Sequence, residues 1–513
     1  MFIDNKHENN DRKEALKYIF DYLSSVNTKA YKDRDLICNE VLSKNPYSSD
    51  FINNILRKNQ VNKIAMYEFA KNLLIYYVKS FGYLLKYFIE KIIFSLYNYK
   101  IVEDKNLKDD IIIIDTFLLT DDVLKQKKYT EKFFVGFEQL LKKYNKNYLL
   151  SPVLVNSPSL CNYGRLLKYS EIKKNKIIFE HQLLSYYDYF QLLVFMIKYP
   201  IKLLSFIFHL KDGTFIENHL KNELLITIRY VSMQSYSRYL QGRQLAKRFN
   251  NGGKLISWYE NQVIDKNLYR GIKEVNPKIK IIGSRPYIFT DEMLNEVPDE
   301  TEKPFLTLPD KIVVNGKMQI PHQTKLKYEI APSFRYKRLF ESKISFKNRT
   351  KILVLLTIFD HEIKHILKSV ECLLKTDYEI LVKFHPDTTN SNYHYLLKDR
   401  IKIVEDNIYD LFNVTKIVIG ISTGSLIEAA CLAIPTIIIP HPTKYSLLFF
   451  KNYGKGIIWD QVDYYNSLTD LVAKFDRSVK EKQSELIESS KLCRSLYLRK
   501  YDETEIRKAY GLG

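Results

Sequence analysis

The stretch between residues 380 and 442 constrains the fold more than any other part of the sequence. It contains three short apolar runs, at 380–384, 417–420 and 436–440, and each run ends in small or polar residues. A segment of helix length, which starts at a cluster of Ser, Thr and Gly, separates the last two runs. This alternation predicts a strand–helix–strand unit in a buried parallel sheet. Ligands of such sheets bind beyond the carboxyl ends of the strands.

The polar residues that follow these strands indicate a nucleotide site. Backbone N–H groups at the start of the predicted helix 426–432 attract phosphate, and Gly424 lets the backbone approach it. Glu428 is placed to accept hydrogen bonds from ribose hydroxyls, and His385 to donate to a phosphate or a departing oxygen. The alternative is that a hydroxyl of the cluster only caps the helix and that His385 is a loop residue. The candidate donor-binding residues are His385, Pro386, Ser422, Thr423, Gly424, Ser425 and Glu428.

At these residues the sequence resembles the C-terminal half of GT-B glycosyltransferases. The motifs that carry the resemblance are Phe384-His385-Pro386, Ser422-Thr423-Gly424-Ser425 and Glu428-Ala429. The likeness is greatest to bacterial surface-polysaccharide enzymes, namely the CMP-sugar-dependent sialyl-, polysialyl- and Kdo-transferases and the CDP-glycerol polyol-phosphate transferases. It implies that His385, Ser422 and Thr423 contact the donor's phosphates and that Glu428 holds the ribose.

Strands and helices alternate on both sides of about residue 340. This pattern predicts an α/β fold of two Rossmann-like domains that face a central cleft, which is the GT-B architecture. We expect a helical N-terminal extension at 1–105, an acceptor-binding domain at 106–340 with a helical insertion at 183–250, and a donor-binding domain at 341–513 that ends in helices. Strands are predicted at 110–119, 148–155, 254–259, 278–283, 352–358 and 456–459, helices at 131–144, 265–274 and 362–374, and the interdomain connection at 315–350.

The acceptor half offers a general base. Glu260 follows the strand 254–259, where the cleft is expected, and a base there takes the proton of the acceptor hydroxyl. Asp115 is the second candidate, although it lies inside an apolar strand and also suits a structural role. The segment YENQ…LYRGIK…IIGSRPY resembles the acceptor half of surface-carbohydrate biosynthesis proteins, in which His follows the Gly. Arg285 stands in that region instead, as a candidate contact for an anionic group, and His361 is a candidate contact for the donor phosphates.

One motif favours a different class of enzyme. His361-Glu362-Ile363-Lys364-His365 matches H-E-x-x-H, the zincin helix, in which two His bind zinc and the Glu acts as base. Glu371 is a candidate third ligand. The motif directly follows a predicted strand, where a GT-B domain has its first loop and helix, so we favour a site that holds no metal.

Composition and charge narrow the partners. The chain has 513 residues, a net charge of +20 and five widely spaced cysteines without a C-x-x-C pair, which indicates free thiols in a reducing compartment. The lysines are dispersed and form no recognisable nucleic-acid module, so no nucleic-acid partner is expected. The N-terminus lacks an apolar signal core. Two apolar helical segments, 64–97 and 190–210, predict either buried core helices or an interfacial pair on an anionic membrane.

These observations together predict a metal-independent glycosyltransferase of surface-polysaccharide synthesis, without a cofactor, peripheral at the cytoplasmic face of the membrane. It would move a sugar, with a CMP-activated nonulosonate or Kdo favoured, from a nucleotide-sugar donor to a glycan or lipid-linked acceptor. His385 and Glu260 would be its catalytic residues. The alternatives are a CDP-polyol phosphotransferase on the same fold, a zinc-dependent hydrolase that uses His361, Glu362 and His365, and a membrane-associated scaffold without activity.

Overall fold

The computed structural model describes most of the chain. The described residues are 5–60, 66–97, 111–172, 174–211, 213–249, 252–321, 324–386, 388–398, 400–442, 444–451, 453–463 and 466–513. Side chains are described from residue 12 onwards. The predicted boundary between residues 105 and 106, the start of the predicted strand at 110 and the start of the first apolar segment at 64 lie outside this part.

Two six-stranded parallel sheets form the centre of the described structure. Their order is β2-β1-β3-β4-β5-β6 in the first sheet and β12-β11-β10-β7-β8-β9 in the second, and every neighbouring pair is parallel. The first sheet contains β1 (Ile112–Leu119), β2 (Tyr148–Val155), β3 (Gly253–Trp258), β4 (Ile279–Arg285), β5 (Lys311–Val314) and β6 (Tyr328–Ile330). The second contains β7 (Lys351–Leu355), β8 (Ile380–Lys383), β9 (Ile401–Ile403), β10 (Thr415–Gly420), β11 (Thr436–Ile438) and β12 (Trp459–Gln461). The predicted fold class, α/β with two parallel-sheet domains, is confirmed.

Helices connect and cover the strands. Those of the N-terminal segment and of the chain around the first sheet are α1 (Asn5–Ala30), α2 (Phe51–Leu56), α3 (Met66–Leu96), α4 (Thr120–Gln126), α5 (Phe137–Lys143), α6 (Leu160–Tyr169), α7 (Glu180–Leu183), α8 (Tyr186–His209), α9 (Phe215–Ile226), α10 (Val231–Ala246) and α11 (Val263–Val275). The later ones are α12 (Lys337–Glu341), α13 (Asp360–Ser369), α14 (Ile408–Val414), α15 (Ser425–Cys431), α16 (Leu468–Glu481), α17 (Gln483–Tyr497) and α18 (Glu503–Tyr510). Short 3-10 helices lie at Arg34–Cys38, Val41–Ser43, Leu294–Glu296, Glu300–Phe305, Lys317–Gln319, Phe334–Tyr336, Val370–Lys375 and Asn390–Leu396.

Each sheet has a point at which its strand order reverses. In the second sheet the chain runs outward from β7 to β9 and then returns to place β10 on the other side of β7. The first sheet repeats this pattern, with β1 and β2 on one side and β3 to β6 on the other. The two switch points therefore lie between β7 and β10 and between β1 and β3. Open parallel sheets bind ligands in the crevice outside the carboxyl ends of the strands at such points.

The central strands form because their apolar residues can be buried on both faces. Ile352, Leu353 and Val354 of β7 have no exposed surface, and neither do Ile417 and Val418 of β10. Near-continuous apolar runs of this kind are typical of parallel sheets, whose two faces are both covered by helices. This is why the strand positions were readable from the sequence.

The predicted helix at 131–144 is wrong in its first half, since the structure has only α5 there. The Glu131 carboxylate accepts hydrogen bonds from the backbone N–H groups of Phe133 and Phe134, at 2.8 and 3.0 Å. It also accepts one from the Thr116 hydroxyl at 3.1 Å. Local side-chain bonds to the backbone compete with helix formation, and here they hold a loop against the end of the first sheet.

The assignment of 315–350 to an interdomain connection is also corrected. Tyr328–Ile330 is the edge strand β6 of the first sheet, and its three residues are too few to carry a periodic signal. The last helix, α18, likewise leaves the second domain and packs on the first. There the Tyr510 hydroxyl hydrogen-bonds that of Ser284 at 2.5 Å. Ile506 and Ala509 join the same apolar cluster as Ile114 of β1.

The N-terminal segment, residues 12–60, contacts both domains, whereas its sequence predicts a helical extension outside them. Arg12 donates to the Glu292 carboxylate at 2.8 Å and to the Ser446 carbonyl oxygen at 2.6 Å. The Tyr47 ring stacks on that of Phe359, with centroids 4.0 Å apart. The segment therefore forms part of the interface between the lobes.

A buried ionic network fastens this segment to the first domain. The Lys44 ammonium is 2% exposed and pairs with Asp299 and Glu302, and Glu302 also pairs with the fully buried Lys266 at 2.7 Å. Burial raises the pKa of Asp299, but the charge of Lys44 and the hydrogen bonds from Lys44, Ser24 and Thr301 together outweigh it and lower the pKa to about 2. A buried ion left without its partner is far less stable than the pair, so each member depends on the others.

Replacing Lys44 tests this network. We expect Lys44→Ala to lower the free energy of unfolding by about 3–5 kcal/mol at pH 7, because it leaves the buried carboxylate of Asp299 without its cationic partner. The loss should shrink as the pH falls from 3.8 towards 2, where Asp299 becomes neutral in both states. Urea unfolding across this pH range measures it.

The matched control is Lys17→Ala, because Lys17 pairs with Asp21 on the exposed face of α1. It should leave the free energy of unfolding nearly unchanged. Equal effects of the two substitutions would contradict the structural role given to Lys44.

Candidate functional site

The bend after β10 lies at the carboxyl edge of the second sheet, as the sequence predicts, and the strand order shows that this is also the switch point of the sheet. Ser422 adopts a left-handed backbone conformation, with φ of 49°, which is uncommon for a residue with a side chain. Its hydroxyl donates to the Glu362 carboxylate at 2.7 Å and accepts the Leu447 N–H at 2.9 Å. The Ser422 side chain therefore holds the bend in shape instead of capping the following helix.

Beyond Ser422 the bend faces the other lobe. A Cβ atom on Gly424 would lie 3.2 Å from the Cβ of Ile288, which follows β4 of the first domain, so the close approach of the lobes favours glycine here. Thr423 and Ser425 are half-buried beside it. The Ser425 hydroxyl lies 3.4 Å from the Glu428 carboxylate. Gly424, and not one of the hydroxyl residues, occupies the capping position of α15.

Glu428 is held on α15 by two neighbours that sequence reasoning did not assign. The Tyr409 hydroxyl donates to its carboxylate at 2.6 Å. The positive charge of Arg335, an exposed residue of the chain between the domains, acts on the same carboxylate. Burial raises the pKa of Glu428, while Tyr409 and Arg335 oppose that rise. Ser425, Glu428 and Arg335 thus combine hydroxyl, carboxylate and guanidinium groups at one edge of the cleft.

His385 and Pro386 follow β8, the strand next to β7. His385 is half-buried and Pro386 is exposed. The His385 carbonyl oxygen accepts the Thr388 N–H at 2.9 Å, and the preceding Phe384 ring stacks on Tyr393 with centroids 5.7 Å apart. The turn that carries the imidazole is therefore fixed at the carboxyl edge of the sheet.

Glu260 lies at the switch point of the first sheet, directly after β3. Its two carboxylate oxygens accept hydrogen bonds from the Trp258 indole at 2.8 Å and from the Gln262 amide at 2.5 Å. Burial raises its pKa, and these two donors oppose the rise. The Trp258 ring stacks on that of Tyr287, the residue next to Ile288 in the chain. A continuous series of contacts therefore connects Glu260 with Gly424 of the opposite lobe.

A second carboxylate, Glu296, lies close to Glu260 and was missed at the sequence level. It is 2% exposed and accepts a hydrogen bond from the Tyr287 hydroxyl at 3.0 Å. Burial, and to a smaller extent the charge of Glu260, raises its pKa to about 8, although Arg285 opposes the shift. The residue lies in a segment of mixed polarity, and no motif marked it.

Two residues predicted to contact a ligand, Arg285 and Asp115, are instead bound to other residues of the protein. The Arg285 guanidinium has no exposed surface and binds Glu296 at 3.3 Å and the Tyr259 carbonyl oxygen at 3.2 Å, so it does not reach a ligand in the cleft. Asp115 is 4% exposed, pairs with Arg238 at 2.6 Å and accepts the Ser257 hydroxyl at 2.8 Å. Both residues stabilise the first domain at its switch point.

The H-E-x-x-H motif lies on α13, and its geometry differs from that of a zinc helix. Glu362 is fully buried and bound to Ser422, so it cannot act as a base on a bound water. The His365 Nε2 atom bonds the Pro440 carbonyl oxygen at 3.1 Å. Among the described residues, no group of three or more His, Cys, Asp or Glu side chains is placed to hold a metal ion.

A cavity of about 820 Å³ opens beside this site. It is lined by parts of the segment 46–60, by one face of α9 and Arg229 in the turn that follows, and by Phe359, His361, Lys444 and Tyr445 of the second domain. Of the candidate site residues, His361 lines this cavity. Tyr47 also lines it and connects the cavity with Ser422 of the bend. Burial, followed by the charge of Glu362, raises the pKa of the Tyr47 hydroxyl, which also lies beside Ser422.

No protein-family model and no curated protein matches the sequence. Solved structures match it distantly. S. aureus MnaA with UDP has a TM-score of 0.43 and 12% identity, over 79% of this chain and 97% of that one. A variant of the wall teichoic acid polymerase TagF has 0.39 and 12%, over 85% and 96%. HepE from Anabaena with UDP and glucose has 0.39 and 7%, over 79% and 99%. The residue roles proposed below come from this chain's own geometry.

The raised pKa of Glu296 gives a pH-dependent prediction. The folded chain keeps this carboxyl protonated up to about pH 8, whereas the unfolded chain ionises it near 4.5. Between these values the unfolded state binds fewer protons, so the contribution of Glu296 to the free energy of unfolding falls as the pH rises. Glu296→Gln stays neutral and should therefore gain stability relative to the wild type, by up to about 1.4 kcal/mol per pH unit.

Urea unfolding of both proteins at pH 5 and pH 8 measures this difference. Glu481→Gln, on the exposed surface of α16, is the control and should show the same difference from the wild type at both pH values. If the free energy of unfolding of Glu296→Gln also differed from that of the wild type by the same amount at both pH values, the prediction that the Glu296 carboxyl is neutral in the folded chain would be wrong.

Proposed function

We propose that the protein is a glycosyltransferase that moves a sugar from a nucleotide-sugar donor to a glycan or lipid-linked acceptor. The observation that carries this proposal is the meeting of the two sheet edges. Thr423 and Ser425 stand at the switch point of the second sheet, Glu260 stands at that of the first, and the contact between Gly424 and Ile288 brings the two edges together. Such a cleft can hold an activated donor and an acceptor at the same time.

The donor would bind on the second domain. Ser425 and Thr423 would donate to its phosphates, and the exposed Arg335 would supply the positive charge that the short helix α15 offers only weakly. Glu428, oriented by Tyr409, would accept from the ribose hydroxyls. His385 would donate to the departing phosphate oxygen as the bond from sugar carbon to oxygen breaks.

The acceptor would be activated from the first domain. Glu260 would take the proton of the acceptor hydroxyl while that oxygen attacks the donor carbon. Its burial supports this role, because a carboxylate with a raised pKa is a stronger base near neutral pH. The new glycosidic bond forms as the nucleotide leaves, and the proton stays on Glu260 until it is released to water.

We favour a CMP-activated nonulosonate or Kdo as donor, in line with the motif resemblance, and a CDP-polyol is the alternative on the same fold. No resident metal or cofactor is part of this proposal. The positive charge of Arg335 and a hydrogen bond from His385 would stabilise the leaving group, which is a way to stabilise a developing anion by groups of the protein alone.

The protein would work on a membrane, and α3 and α8 support this localisation. The two helices pack side by side, with the Tyr76 hydroxyl bonded to the Met196 carbonyl oxygen at 3.1 Å. Both present apolar side chains outward, at 38–83% exposure: Met66, Tyr67, Leu74, Ile75, Val78, Phe81, Leu85, Phe88, Ile92 and Leu96 on α3, and Tyr186, Tyr187, Phe190, Ile197, Ile201 and Phe208 on α8. With a net charge of +20, such a surface suits the interface of an anionic membrane.

Lying on the membrane fits these helices better than crossing it. Among the described residues, one helix, Tyr186–His209, is long and apolar enough to span by length and composition, and 39% of its most apolar window is buried in the protein. Its Lys202 binds Asp33 at 2.9 Å and also pairs with Asp35, which ties the helix to the N-terminal segment. An interfacial position would keep these ion pairs intact.

Substitution of two donor-site residues tests the transferase. We expect His385→Ala and Glu428→Ala each to lower transfer at least about 100-fold, because each removes a group that stabilises the bound donor or the leaving nucleotide. The nucleotide part of the donor is first identified by thermal shift with CMP, CDP, UDP and GDP, since a ligand at 100 times its Kd stabilises the folded protein by about 2.7 kcal/mol.

The control is His394→Ala, an exposed histidine of the loop after the His-Pro turn, which should transfer normally. Glu428→Gln checks that any loss in the alanine variant does not come from misfolding. Normal turnover in both alanine variants would refute the donor site, and failure to bind every nucleotide would favour a scaffold without activity.

Vesicle sedimentation tests the membrane surface. The wild-type chain should bind vesicles that contain phosphatidylglycerol, more weakly at high salt, and the double variant Phe81→Glu/Leu85→Glu should lose most of this binding. Leu492→Glu places a single negative charge on an exposed apolar position of α17 and should bind like the wild type. Equal binding by all three proteins would contradict the assignment of α3 to the membrane.

A further inference from the structure

The cavity beside the bend has no assigned role and is large. Its volume of about 820 Å³ lies in the upper part of the range of about 300–1,000 Å³ that small-molecule sites span. Its walls come from the N-terminal segment, from α9 and from the loops after β7 and β11. The cavity therefore exists only because the N-terminal segment covers the edge of the second sheet.

Its position connects it to the proposed reaction. The Tyr47 ring lies on Phe359 in its wall, and the Tyr47 hydroxyl reaches Ser422 and the charge of Glu362. The loop after β7, which ends at Phe359, and the start of α13, which carries His361, border the same switch point as the bend. Glu428 lies one turn into α15, the helix that begins at this bend. The cavity therefore lies next to the proposed donor site.

The lining is polar and suits hydroxyl groups. Asn53, Asn54, Asn59, Gln60 and Asn222 contribute five side-chain amides, and serines 48 and 49 add hydroxyls. An amide offers donors and an acceptor in one plane, so amides can bind pairs of neighbouring hydroxyls. The stacked aromatic pair of Tyr47 and Phe359 adds an apolar surface against which C–H groups can pack.

The charges of the lining nearly cancel. Asp50 and Glu223 oppose Arg229 and Lys444. Burial, together with the nearby Lys444, lowers the pKa of His361, so that its imidazole is neutral at pH 7. In a chain of net charge +20, a balanced cavity is a local exception, and it offers a polyanion no excess of positive charge. A neutral ligand rich in hydroxyl groups fits this chemistry better than a phosphorylated or acidic one.

We propose that this cavity is a binding site for a neutral oligosaccharide, which is the non-reducing arm of the acceptor glycan. The inference rests on the proposed transferase function and extends it, because it places the acceptor between the N-terminal segment and α9 and defines its class as uncharged. The cavity has room for more than one sugar ring, so the site would recognise an oligosaccharide and not a single sugar.

Filling the cavity tests the site. The probes are an array of neutral and acidic bacterial-type oligosaccharides, incubated with the labelled full-length protein. The wild type should bind neutral members, and Asn222→Trp, which fills the cavity from α9, should bind them at least about 10-fold more weakly. Gln60→Trp fills it from the N-terminal segment and should do the same. Asn218→Trp lies one turn before Asn222 on the same helix, outside the lining, and should bind like the wild type.

The result can be separated from that of the proposed function. All four proteins are also tested for thermal shift with CMP, CDP, UDP and GDP, which reports folding and donor binding independently of the cavity. Nucleotide binding without any glycan binding, or glycan binding that both Trp variants in the cavity retain, would overturn the acceptor site alone. Preference for acidic oligosaccharides would overturn its neutral class. Glycan binding without nucleotide binding would overturn the transferase, and with it the acceptor role, and would leave only a glycan-binding cavity.

Discussion

The buried carboxylate of Glu362 is the contact on which the geometry of the candidate site depends. It accepts the Ser422 hydroxyl, which in turn accepts the Leu447 N–H. These three residues follow β7, β10 and β11, so one side chain joins the ends of three neighbouring strands. Because a buried carboxylate that loses its hydrogen-bond donor is costly, the bend has little freedom to change shape. Because these hydrogen bonds fix the bend, Thr423, Gly424 and Ser425 face the first domain.

Most of the strands, though not β5, β6 and β9, and the place of the candidate site at the sheet edge were predictable from the sequence, because both depend on local order. Apolar runs such as 417–420 indicate buried parallel strands, and the polar residues after them must lie at the ligand-binding edge. Pairings between distant residues were not predictable. The sequence carries no sign that Arg285 meets Glu296 or that Asp115 meets Arg238, and each pairing removes a candidate contact from the cleft.

The H-E-x-x-H match illustrates the same limit of local reasoning. Its spacing is that of a zinc helix, but the direction in which α13 faces is set by its packing on the sheet, and that packing turns Glu362 inward. Arg335 illustrates the reverse case, since it belongs to no motif and gains its place near Glu428 only from the fold. Short edge strands such as Tyr328–Ile330 escape prediction for a related reason: they are held by neighbours and not by their own pattern.

The return of α18 to the first domain restricts how the two lobes can move. The chain crosses between the domains once before β7 and a second time before α18, so two covalent links run side by side across the junction. Two links define an axis, and rotation about that axis is the motion they leave free, while sliding and twisting are opposed. In the proposed transferase, opening for product release would therefore be a hinge movement of defined direction, and the strand-edge groups of each lobe would return to the same register after each opening.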